Sequence, residues 1–203
     1  MTVAPRVLIW LRLACAPLIL IAALLEWPGI ALVAIAAVAL VTDYFDGVIA
    51  RRLGVDTAAL RHFDSQVDTV FYCAAGIGLF IRFPNVWHEF HVGIFVLLAF
   101  EFGRMLFEWL KFGRPAAYHM WSAKLWGLVM LFGFGEVALS GRGGPLLLAV
   151  VVIGIYTNIE GMVASLILRE PHHDVPTWWH AVSIAQTRGT AGGSGIASGG
   201  GLS

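Results

Sequence analysis

The chain has 203 residues, 59% of them hydrophobic and only 13% charged, against about 25% charged in an ordinary soluble domain. Mean hydropathy is +0.80 and formal net charge is zero. These values exclude a soluble globular protein and give no reason to expect a nucleic-acid partner.

Hydropathy divides the chain into six apolar spans, at 7–25, 29–50, 60–81, 92–110, 117–139 and 146–168. Each is near the ~20 residues that a helix needs to cross ~30 Å of hydrocarbon. The first is read as a retained span, because its apolar run exceeds the ~7–15 residues of a signal peptide. Cys15 in the first span and Cys73 in the third have no CxxC or His-rich neighbourhood, so both are assigned to packing. Pro28-Gly29, Pro84 and Gly143-Gly144-Pro145 punctuate one side of the membrane, where Trp27, Trp87, His88 and His91 fit a wet interface. The other side collects Arg6, Arg51, Arg52, Arg61, Lys111, Arg114 and Arg169. The positive-inside rule makes that side cytoplasmic. The expected fold is an all-α integral membrane protein, six transmembrane helices in a bundle with both termini cytoplasmic. Residues 1–170 form this domain, 171–186 an interfacial segment with His172, His173 and Asp174, and 187–203 a flexible Gly/Ser-rich tail.

Four carboxylates stand against this apolar background. Asp43 and Asp46 close the second span and Asp64 and Asp68 open the third. Spacings of three and four put each pair on one helix face. A charge at the centre of a membrane helix costs about 2.5–3.5 kcal/mol on insertion scales, so four near the membrane mark function. Asp43, Asp46, Gly47 and Ala50 form one stripe, whose small residues admit a ligand beside the carboxylates, with Arg51 placed to neutralise a phosphate. Leu60, Asp64 and Asp68 form the facing stripe. Hard oxygen donors suit Mg²⁺ or Mn²⁺, and four carboxylates suffice for two ions at the ~3.5–4 Å spacing of phosphoryl chemistry. One carboxylate can then take a proton from an incoming hydroxyl. The outline is that of a diphosphate-cleaving transferase.

The segment 43–68 resembles the signature of the CDP-alcohol phosphatidyltransferase family, D-x2-D-G-x2-A-R-x8-G-x3-D-x3-D. Asp43, Asp46, Gly47, Ala50, Arg51, Asp64 and Asp68 fall on seven of its eight fixed positions, and Leu60 replaces the glycine at the eighth. The opening RVLIWLRLACAP is also similar to the family's N-terminal segment, with Arg12 and Pro17 in the places of its usual Arg and Pro. The resemblance implies a six-helix membrane enzyme, in which an alcohol attacks the lipid- or alcohol-bearing phosphorus of a CDP-linked donor and CMP leaves. It implies Asp43, Asp46, Asp64 and Asp68 as metal ligands, Asp68 also as general base, Gly47, Ala50 and Arg51 at the CDP site, and a homodimer. Because Leu60 shares a face with Asp64 and Asp68, its side chain is expected to bear on cytidine specificity. The expected role is phospholipid biosynthesis at the cell membrane with a cytoplasm-facing site. CDP-diacylglycerol is the preferred donor, and the acceptor is a small alcohol, a polyol phosphate or a lipid.

Two other classes fit part of the pattern. A divalent-cation transporter also places carboxylates among membrane helices, but near the midplane, whereas these sit at one face. An Asp-rich polyprenyltransferase also holds diphosphate through magnesium, but a single compound motif and six spans fit it less well. Outside the signature, Glu101 and Arg104 are expected to form a structural ion pair, and Arg104, Arg114 and Lys124 are the candidates for a phosphorylated acceptor. Tyr118 reads as an interface anchor and His119 as a solvated hydrogen-bonder. Glu160, deep in the sixth span, is expected to hydrogen-bond within the membrane, with Asn158 as a candidate partner.

Overall fold

A computed structural model describes residues 3–186 apart from 56, 115–117, 119, 169, 171–174, 176, 181, 184 and 185. His119, the His172-His173-Asp174 tract and the tail 187–203 lie outside the described residues. Six helices follow one another: α1 (Val3–Leu24), α2 (Gly29–Arg52), α3 (Ala58–Arg82), α4 (Pro84–Phe112), α5 (Trp121–Ser140) and α6 (Pro145–Ile167). No strand occurs among the described residues. All except α3 are long and apolar enough to cross a membrane. The N-terminal half of α3 carries Arg61, His62, Asp64 and Asp68 where a span would carry apolar residues.

Helix ends follow local chemistry. Arg51 and Arg52 fill the last turn of α2, where cations meet the negative end of the helix dipole. Gly54 then takes a left-handed φ of 64°, which costs a residue without Cβ little. Thr57 caps α3, its hydroxyl accepting from the Leu60 backbone N–H at 3.2 Å. The fourth helix begins eight residues earlier than its apolar run, at Pro84. A proline lacks an N–H and has a helical φ, so it suits a helix's first position as well as it breaks an interior. Trp87, His88 and His91 therefore stand on the first turns of α4.

The chain divides into two compact units, Met1–His91 with Val129–Ala149, and Val92–Leu128 with Val150–Ser203. In the first, α1 packs against both α2 and α3. Small residues dominate the contact: Ala16, Ala22, Ala23, Ala36, Ala39 and Ala75 are buried with Ile19, Leu32 and Phe71. A Cβ on Gly78 would lie 3.1 Å from that of Ala23, and one on Gly29 would overlap the Ala138 carbonyl. Lipid is as apolar as leucine, so close approach of small residues, not hydrophobic expulsion, holds membrane helices together. Large apolar side chains such as Trp10, Ile21, Val38, Phe45 and Ile77 face outward. Cys15 is buried as its assignment to packing requires, but Cys73 is exposed on α3. Its apolar sequence neighbours do not fix which face of the helix it takes.

In the second unit the Trp126 indole donates to the Val150 carbonyl at 2.9 Å, and the bare backbone of Gly154 receives Trp126 and Leu97. The Val175 amide donates to the Tyr118 carbonyl at 2.8 Å. Val175 is buried with Tyr118, Met120, Ala164 and Leu168. Trp178 stacks on an exposed Trp179 at 3.7 Å.

Candidate active site

Helical spacing on α2 and α3 delivers all four aspartates to one place, and α1 delivers Arg12 into their midst. The Arg12 Nη1 lies 3.1 Å from Asp43 Oδ1 and 2.8 Å from Asp64 Oδ1, and donates to Asp68 Oδ1 as well. Its Nη2 donates to Asp46 Oδ2. The Arg12 and Asp46 side chains are 2% and 4% exposed, whereas those of Asp43, Asp64 and Asp68 are 37%, 28% and 29% exposed. The cage thus has a closed floor and an accessible rim. Trp10 and Phe63 meet beside it, ring centroids 5.6 Å apart.

The donor set fits a hard divalent cation. One oxygen from each of Asp43, Asp64 and Asp68 lies within 4.8 Å of the others, and a magnesium ion binds such oxygens at about 2.0–2.1 Å. A cation already lies at their point of convergence, in the form of the guanidinium. Beside the cage, Arg51 folds back along α2, so that a Cβ on Gly47 would stand 3.4 Å from its Nη1. Ala50 is buried one turn on, and Leu60 is half-buried in the first turn of α3.

The other predicted cations belong to the second unit and have different surroundings. Arg104 donates from Nε to Asn158 Oδ1 at 2.8 Å, from Nη1 to Glu108 at 3.0 Å and from Nη2 to Glu101 at 3.0 Å. The ion pair expected between Glu101 and Arg104 is present, within a larger network. Ser165 Oγ donates to Glu108 at 3.1 Å and pairs with the Tyr118 hydroxyl at 2.8 Å. Tyr118 is buried, not an exposed interface anchor. Lys111 donates to the Ser165 and Leu166 carbonyls at the end of α6. Arg114 is exposed beyond α4, and Lys124 is exposed on α5 with its ammonium 4.6 Å from the Trp121 ring centroid. Glu160 is buried, and Asn158, its nearest polar candidate in sequence, serves Arg104 and the Gly154 carbonyl.

Arg12 is the residue whose place in the site the spacing of the aspartates does not reveal. Its signal is a lone guanidinium within an apolar run, a placement costly enough to demand a named anionic partner.

The chain belongs to the CDP-alcohol phosphatidyltransferase family, whose model matches residues 2–156. The match spans both the carboxylate cage and the helix that carries Arg12. Family membership makes the protein a transferase that takes a phosphatidyl or related group from a CDP-alcohol, and the family is generally dependent on a divalent metal. No curated protein and no solved structure matched the chain.

Proposed function

We propose that the protein transfers the phosphatidyl group of CDP-diacylglycerol to a small polyol or polyol phosphate, with release of CMP, as a step of phospholipid biosynthesis. The observation that carries this reading is the convergence of four carboxylates, from α2 and α3, on one cation-filled point. Asp43, Asp46, Asp64 and Asp68 would hold two Mg²⁺ or Mn²⁺ ions, which would supply positive charge to the donor diphosphate and to its leaving oxygen. Asp68, on the accessible rim, takes the proton of the acceptor hydroxyl. The acceptor oxygen then bonds to the lipid-bearing phosphorus, the bond from that phosphorus to the oxygen shared with CMP breaks, and CMP departs with that oxygen.

Arg51 offers a cation to the donor phosphates and Gly47 bare backbone beside it, while Ala50 keeps the α2 stripe low enough for the nucleotide. Arg104, Arg114 and Lys124 bind the acceptor phosphate, Arg104 from within its network with Glu101 and Glu108. All six helices enter the cell membrane, α3 with its apolar C-terminal half in the hydrocarbon and its acidic N-terminal half at the cytoplasmic face, where both termini and the site lie, and the working form is a homodimer. The test is a donor and acceptor screen with purified protein in Mg²⁺ or Mn²⁺. CDP-diacylglycerol with a polyol or polyol phosphate is expected to yield CMP and a new phospholipid. Turnover only with CDP-choline or CDP-ethanolamine and diacylglycerol would reverse the donor assignment. No CMP with any pair, together with metal uptake into vesicles, would make the protein a transporter.

A further inference from the structure

From the four contacts of its guanidinium, we infer that Arg12 is a tethered placeholder cation, which assembles the carboxylate cage without metal and is displaced when divalent ions enter. The inference rests on the metal-site reading above. Nη1 alone meets Asp43, Asp64 and Asp68, the same three residues whose oxygens converge closely enough to hold an ion. Ion and guanidinium therefore compete for one set of acceptors.

Charge points the same way. Four carboxylates carry at most −4 and Arg12 returns +1, so the cage can take up further positive charge. Two divalent ions supply +4 and leave nothing for the guanidinium to neutralise. The fit of Arg12 is also incomplete: its Nε is buried and has no partner among the described residues. A guanidinium built in permanently would be expected to satisfy that donor, because a buried unpaired N–H is costly. With the guanidinium in place, the mutual repulsion of four acidic groups from two helices is eased. Metal then binds a cage already formed, and gives up some affinity to the residue it expels.

The experiment is Mn²⁺ binding to the full chain in nanodiscs without CDP donor, followed by the electron paramagnetic resonance signal of free Mn²⁺. Arg12→Gln removes the competitor and Arg12→Lys keeps the charge without the fork. Arg12→Gln is expected to bind Mn²⁺ at least about tenfold more tightly than wild type, the scale of a direct coupling between two ligands. Arg12→Lys is expected to fall between them. Asp64→Asn weakens binding in every background, which locates the ions in the cage. Mn²⁺ binding by wild type with equal or weaker binding by either folded variant overturns the placeholder and leaves the metal site standing. If Arg12→Gln does not fold, Arg12→Lys decides alone. No binding by folded wild type and variants overturns the placeholder and the metal site together.

Discussion

Two largely buried arginines in this protein solve opposite problems. Arg104 is matched to its surroundings: Nε, Nη1 and Nη2 each have a partner, and both carboxylates come from its own helix, three and four residues away. Arg12 faces four carboxylates 31, 34, 52 and 56 residues away along the chain, and its Nε goes unpartnered among the described residues. A network with its charges nearly balanced and a partner at every guanidinium nitrogen needs no further cation. A cage with four acids for one base attracts further cations, which is what a diphosphate-cleaving centre needs.

The largest effect should come from the rim of the cage. Asp68→Asn is expected to slow CMP release by about 10²–10⁴-fold, the usual contribution of a general base, with CDP-diacylglycerol binding still measurable. Near-normal turnover would remove Asp68 from that role.

The two arginines should then separate by their response to metal. Arg104→Met takes the guanidinium away from the buried Glu108, a loss of about 3 kcal/mol, and Mn²⁺ should not recover it in thermal melting. Arg12→Gln should lower the melting temperature of the metal-free protein, and saturating Mn²⁺ should restore it. Recovery of both variants by Mn²⁺, or of neither, would erase the distinction.

Smaller changes probe the close fits. A Cβ at Gly161 would lie 2.8 Å from Arg104 Cδ, so Gly161→Ala should cost about 1–2 kcal/mol by crowding that side chain, measured by denaturation in detergent. Leu60→Gly should tighten CDP binding by a few-fold at most, because Leu60 sits half-buried in the first turn of α3. Unchanged affinity would show that the leucine already leaves the nucleotide room.

The helical period made much of the cage legible. Spacings of three and four place Asp43 with Asp46 and Asp64 with Asp68 on single faces before any tertiary structure is known. In the sequence Arg12 stands out only as a match to an N-terminal pattern, since its meeting with α2 and α3 depends on small-residue packing that no local period encodes. Pro84 misleads in isolation, because the same missing N–H permits a helix start and forbids an interior. Tyr118 was misplaced for a related reason: aromatic residues near span ends suit the interface, but Ser165 gives this hydroxyl a buried partner 47 residues away.

The central claim is that the caged carboxylates form a metal-dependent centre for cleaving a CDP-linked donor. It is tested most directly by CMP release from CDP-diacylglycerol and a polyol phosphate, comparing wild type with Asp46→Asn with and without Mg²⁺. The account predicts CMP from wild type only with the metal, and a loss of at least about 10²-fold in Asp46→Asn. Metal-independent release, or full activity in Asp46→Asn, would contradict it.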